Sequence, residues 1–177
     1  MNRFVRATGW GFLLAAGIVF SGQDTVRQTV ALRVSAFGSL SVSGNPHLIL
    51  GLDAAPGALS ETEDSSSILS YTSTVGPGQH RSISAQMGET DSAPAGCALS
   101  LRASPGQGRT AGRSAGDVVL GAAPQTIVTD IGSCATDLDG PQGGAVLRYR
   151  LSVVLPTALI AGESRSVTVT FTIMDAA

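Results

Sequence analysis

The sequence predicts an all-β protein: an antiparallel β-sandwich or barrel of about eight to ten short strands. Three observations carry that prediction. Apolar and polar residues alternate with a period of two along most of the chain. Turn-forming clusters of Gly, Pro, Asn and Ser punctuate that pattern at intervals of roughly 8–15 residues. Beyond the first 22 residues, no window shows the i, i+3, i+4, i+7 stripe of an amphipathic helix. With 177 residues, 43% of them hydrophobic, the chain can build one domain with a real core but not two of full size.

The first element is a leader. Arg3 and Arg6 precede the apolar run Gly9–Phe20, and small residues follow at Ser21 and Gly22. A run of about a dozen apolar residues is too short to span a bilayer and fits a secretory signal peptide. Residues 1–22 are therefore expected to be removed, leaving a single domain over 23–177. Four of the aromatic residues, Phe4, Trp10, Phe12 and Phe20, leave with the leader. The mature chain keeps Phe37, Tyr71, Tyr149 and Phe171, and its nine Arg face 13 acids for a net charge of −4.

Strands are expected in the following order. Val30, Leu32, Val34 and Ala36 form one face of the segment Thr29–Ala36, and Leu40 and Val42 continue after Gly38. Leu48, Leu50 and Leu52 alternate after the Gly44-Asn45-Pro46 turn signal. A polar, acidic loop is expected from Ala54 to about Ser66. Leu69, Tyr71 and Ser73 share a face before the turn Val75–Gly78, and Ile83, Ala85 and Met87 share the next. Cys97, Leu99, Leu101 and Ala103 follow, then a Gly-rich loop from Ser104 to Gly116. Val118 and Leu120 mark a short strand, and Ile127, Thr129 and Ile131 another. Ala145, Leu147, Tyr149, Leu151 and Val153 alternate with Val146, Arg148, Arg150 and Ser152. The last strand, Ser166–Ile173, sets Val167, Val169, Phe171 and Ile173 against Thr168, Thr170 and Thr172.

The chemistry-bearing residues are few. All 11 basic residues are Arg, which excludes a P-loop lysine, a Schiff-base lysine and a Ser-x-x-Lys site. The weak negative charge argues against nucleic-acid binding. Gly112-Arg113-Ser114-Ala115-Gly116 matches the G-x-S-x-G nucleophile elbow, but loop precedes it, strand follows it, and neither His47 nor His80 lies after Ser114. It reads as a flexible loop. His47 and His80 stand alone, without converging ligands. Asp137-Leu138-Asp139-Gly140 opens like a calcium loop yet lacks the third oxygen ligand and the closing Glu, so it reads as an Asp-Gly turn. The Thr168, Thr170, Thr172 row reads as β-propensity on a wet face. No catalytic residue, cofactor or metal is expected.

Two cysteines, Cys97 and Cys134, remain after export, with 36 residues between them. An even count in an oxidising compartment predicts a disulfide, worth roughly 3–4 kcal/mol for a loop of that size.

With its leader, its Cys pair and its alternating strands, the chain resembles an exported bacterial immunoglobulin-like sandwich, similar in style to fimbrial and other cell-surface structural subunits. The resemblance is architectural, covers roughly 25–174 and transfers no residue. Both Cys lie in the second half, whereas chaperone–usher pilins place theirs near the mature N-terminus. The resemblance implies a non-enzymatic structural subunit of a filament, surface layer or matrix, self-associating by β-strand addition through Thr29–Ala36 or Ser166–Ile173. The competing expectation is an adhesin or ligand-binding module acting through the loops Ala54–Ser66 and Ser104–Gly116 on a cell-surface protein or glycan. Either destination is outside the cytoplasm: the periplasm, the cell surface or the medium.

Overall fold

Strands form where the period-two pattern is cleanest, and β9 shows it best. In the computed structural model, which describes residues 33–50, 61–106, 108, 110–136 and 143–176, Ala145–Val153 is strand β9. It buries Ala145, Leu147, Tyr149, Leu151 and Val153 and turns the intervening residues outward. Its neighbour β4 (Cys97–Ser104) does the same in register, with Leu99 opposite Leu151, Leu101 opposite Tyr149 and Ala103 opposite Leu147.

Among the described residues, ten strands make two antiparallel sheets and there is no α-helix. The other eight are β1 (Phe37–Ser43), β2 (Glu61–Thr74), β3 (Arg81–Met87), β5 (Arg113–Ser114), β6 (Val118–Val119), β7 (Gln125–Ile131), β8 (Cys134–Ala135) and β10 (Val169–Asp175). One sheet runs β1-β2-β9-β4-β6, with β8 also on β2; the other runs β10-β3-β7-β5. The expected all-β sandwich is thus observed. Between the sheets lie Leu69, Tyr71, Ile83, Leu101, Ile127, Val128, Ile131 and Leu147, all 2% exposed or less. Each such aliphatic side chain contributes about 1.5–3 kcal/mol by leaving water.

The expected boundaries change in several places, β5 within the expected Ser104–Gly116 loop among them. Glu61–Ser66 is strand rather than loop. A bulge between Asp64 and Ser67 shifts the register by one residue. Thr62 and Asp64 therefore share the inward face with Ser67, Leu69 and Tyr71. Asp64 builds the bulge: its carboxylate accepts the Ser66 N–H at 2.8 Å and the Ser66 hydroxyl at 2.6 Å. In β7, Ile127, Val128 and Ile131 are all buried, because a left-handed Asp130 (φ 57°) and a register shift against β3 break the alternation. His47–Leu50 does not form a strand, and the last strand begins at Val169 rather than Ser166. Within the expected strand Thr29–Ala36, the described part Arg33–Ala36 is exposed and not in a sheet. Residues 1–22, Thr29–Leu32, 51–60 and the Asp137-Leu138-Asp139-Gly140 turn lie outside the described residues.

The expected disulfide is corrected. Cys97 and Cys134 are both free, and the register shows why. Cys97 sits opposite Val153 at one end of β9. Cys134 sits opposite Ser73, four residues past Leu69, which faces Ala145 at the other end of β9. At about 3.3 Å per residue the two are roughly 30–40 Å apart along the strands. A disulfide needs Cα atoms within about 7 Å.

Candidate interaction surface

The two ends of the sandwich are chemically different, and strand register defines them. At one end lie Phe37, Thr74, the turn Val75–Gly78, Arg81 and Asp175, since Phe37 faces Thr74 and Asp175 faces Arg81. At the other lie Glu61, Met87, Cys97, Val153 and Val169. We call these the Phe37 end and the Val153 end.

On one side the sheets finish in β1 and β10. Gly38 of β1 lies against Arg81 and Ile173, so the two edges approach each other at the Phe37 end. The Arg81 guanidinium also holds Asp175 at 2.9 Å, fixing the end of β10 to β3. Val169, Phe171 and Ile173 face Met87, Ala85 and Ile83 and pack against the core. All three are only half-buried, as is Leu40, and Val42 is 46% exposed. Among the described residues, β10 pairs only with β3. No described residue pairs with its other side. Native edges are usually guarded by Lys, Pro, a bulge or an inward charge. Ser166–Met174 carries no charge, Pro or Gly, and β10 meets β3 without a register shift.

The broad face of the larger sheet is wet and balanced. Arg148 and Arg102 stand directly opposite each other, a repulsive pairing that neighbouring acids offset. Glu63 meets Arg150 at 2.7 Å and Arg148 at 3.9 Å, and Asp117 meets Arg102 at 3.7 Å. The Glu63 hydrogen bond raises the Arg150 guanidinium above its ordinary range. Exposed pairs of this kind contribute little to stability, because solvent screens them.

The residues that the sequence singled out do not converge. Ser114 lies in β5, paired with Val128, and its Oγ accepts the Gly116 N–H at 3.3 Å. Gly116 then leads to strand β6 and not to a helix, so the elbow geometry is not formed. His47 and His80 are exposed on separate segments; His47 donates its N–H to Asp64 at 3.4 Å, and the His80 carbonyl accepts the Ala176 N–H. No group of three metal-ligating side chains occurs among the described residues. Thr168, Thr170 and Thr172 are exposed, Thr170 and Thr172 opposite Gln86 and Ser84. Burial raises both thiols, Cys97 and Cys134, above the ordinary range.

Two features escaped the sequence reading. A shallow polar recess at the Val153 end is lined by Asp91, Ser92, Glu163 and Arg165. Its groups are occupied by one another: Arg165 binds Glu163 at 2.7 Å and Ser92 at 3.0 Å, Glu163 accepts the Ala95 N–H, and Asp91 accepts the Thr168 N–H. These bonds hold Glu163 below the usual carboxylate range, with the Arg165 contact foremost. The second feature is the apolar turn after β9. Val154, Leu155, Leu159 and Ile160 are 62, 54, 42 and 65% exposed.

Comparison with known protein families, characterised proteins and solved structures returns no match.

Proposed function

We propose that this chain is an exported, non-enzymatic structural protein, a subunit of an extracellular or cell-surface assembly such as a filament, surface layer or matrix. Copies join by β-strand addition at β10. The observation that carries this reading is the edge itself: β10 combines an apolar inner row left half-covered with a run free of charge, Pro and Gly from Ser166 to Met174. An added strand satisfies the backbone groups of that edge and covers Val169, Phe171 and Ile173 in one step. The immunoglobulin-like likeness is consistent with this role.

The donor is the segment Thr29–Ala36 of a second copy. Its apolar residues Val30, Leu32, Val34 and Ala36 match the period-two requirement of an added strand. Within its described part, Val34 is 84% exposed and Ala36 is exposed as well, which supports a role outside the chain's own core. Negative-stain microscopy of the mature protein at rising concentration tests the reading. Filaments or sheets that disappear when Thr29–Ala36 is deleted support it. Discrete monomers at every concentration, with and without the segment, reject it.

A further inference from the structure

We infer that successive copies stack end to end, the Phe37 end of one seated on the apolar turn Val154–Ile160 at the Val153 end of the next. The inference rests on the strand-addition reading and follows from directions within the fold. β1 begins at Phe37, so the donor segment leaves its own body at the Phe37 end. On the acceptor, β10 runs from Val169 at the Val153 end to Asp175 at the Phe37 end. If the donor's Phe37 end abuts the acceptor's Val153 end, Ala36 lies beside the start of β10 and Thr29 towards its finish. The added strand is then antiparallel to β10, like every other pairing in the fold. Fourteen residues separate Gln23 from Ala36 inclusive, about 46 Å when extended, against about 23 Å for the seven residues of β10.

The surfaces brought together both carry exposed apolar side chains. The donor contributes Val34 and Phe37, 84 and 55% exposed. The acceptor contributes the turn, which lies within a charge-free run from Leu151 to Gly162. Contiguous exposed apolar groups mark interaction sites more often than chance. The turn is built rather than frayed. Val154 and Leu155 both donate their N–H groups to the Gly96 carbonyl, at 2.8 and 3.0 Å. Gly96 itself has a φ of 74°, and a side chain there would run into the Leu155 carbonyl. Its shape is therefore fixed before any partner arrives, which lowers the ordering cost of binding.

Charge and composition select a second copy over a lipid surface. Interfacial membrane anchors combine apolar groups with Lys, Arg and Trp. The turn has none of these; Glu61 and Asp91 lie at the same end, where Glu163 is already paired with Arg165. The incoming segment carries Arg33, exposed beside Val34 and opposite in sign to those acids. A contact that joins unlike ends of identical copies is heterologous, and it extends into a fibre where the rotation between copies does not close a ring.

The test uses the mature chain with Ile160→Glu, and separately with Leu155→Glu and Ile160→Glu together. Both side chains are exposed, and an unchanged thermal midpoint confirms folding. Sedimentation velocity should show association weakened at least tenfold in the single variant and further in the double. A fluorescent peptide spanning Gln23–Ala36 should still bind both variants as tightly as it binds the parent, because β10 is untouched. Unchanged self-association of the variants overturns the stacking contact and leaves strand addition standing. Failure of the peptide to bind any form rejects strand addition and the stacking with it. Binding of the parent to phosphatidylserine vesicles, lost in the variants, assigns the turn to membrane and overturns the inference.

Discussion

Tyr71 and Thr136 bind each other three times across 65 residues of sequence. The Tyr71 N–H donates to Thr136 Oγ1 at 2.8 Å, that hydroxyl donates to the Tyr71 carbonyl at 3.0 Å, and the Thr136 N–H reaches the same carbonyl at 2.9 Å. Beyond the end of β9, the edge of β2 would otherwise be bare; β8 and Thr136 cover it. The Tyr71 hydroxyl donates to the Ala111 carbonyl, so one residue ties β2 to two distant segments.

Replacing Thr136 with Val keeps the shape and leaves the buried Tyr71 N–H without its acceptor. The expected loss is about 1–3 kcal/mol, read by urea denaturation, with Thr136→Ser retaining most of the stability. A Thr136→Val loss below the error of the measurement would show that the hydroxyl is dispensable.

Asp64 should make the fold acid-sensitive. Its carboxyl is held below the usual range, first by the Ser66 side-chain hydrogen bond and then by the Ser66 N–H. A depressed folded-state pKa contributes stability above the unfolded value of about 3.9 and loses it as pH falls through the folded value. Glu163, also depressed, acts in the same direction. The thermal midpoint of the parent should fall as pH drops below about 4. Asp64→Ala should lower the midpoint at pH 7, and the gap between the two proteins should narrow in acid. A gap that stays constant from pH 7 to pH 2 would remove the carboxylate from the bulge.

The two core tyrosines set the alkaline limit. Burial pushes the Tyr149 phenol up to about 12 and raises Tyr71 as well. The unfolded phenol ionises near 10, so stability is complete below that pH and declines as pH rises towards the folded values. Phenolate absorbance should therefore appear together with loss of β-sheet circular dichroism above about pH 10. Phenolate forming at pH 10 with the sheet signal intact would place these rings in water.

Both thiols should be free in the folded monomer. Alkylation after denaturation without reductant should add two labels per chain, and mass should show no two-hydrogen deficit. Zero labels on a monomeric chain would contradict the register that separates Cys97 from Cys134.

Much of this fold is legible in the sequence where one rule decides the outcome. In β3, β4 and β9, half the residues face the core, and alternation alone identifies Ile83, Ala85, Leu99, Leu101, Leu147 and Tyr149. Alternation fails where a backbone device intervenes. The acids and serines of Glu61–Ser66 resemble loop, yet Asp64 closes a bulge that keeps them in β2. Asp130 adopts a conformation that residue type alone does not demand and lies in the register shift between Val128 and Ile131, while a second shift between Thr126 and Val128 buries Ile127 beside Val128. The cysteines mislead because parity carries no geometry: strand order, unreadable from spacing, sends them to opposite ends. Of the candidate surface, the Thr row and the apolar rhythm of β10 are legible, because both are local. The exposure of Val154–Ile160 is not, since an apolar run of that kind reads as core until the tertiary structure shows it uncovered.

The acceptor role of β10 is the centre of this account, and backbone amide exchange across Val169–Asp175 tests it most directly. Exchange should be compared between dispersed mature protein and protein assembled at high concentration. Amides on the outer side of β10 should exchange freely in the dispersed protein and become protected on assembly, with Thr29–Ala36 gaining protection in parallel. Assembly that leaves the exchange of β10 unchanged would contradict it.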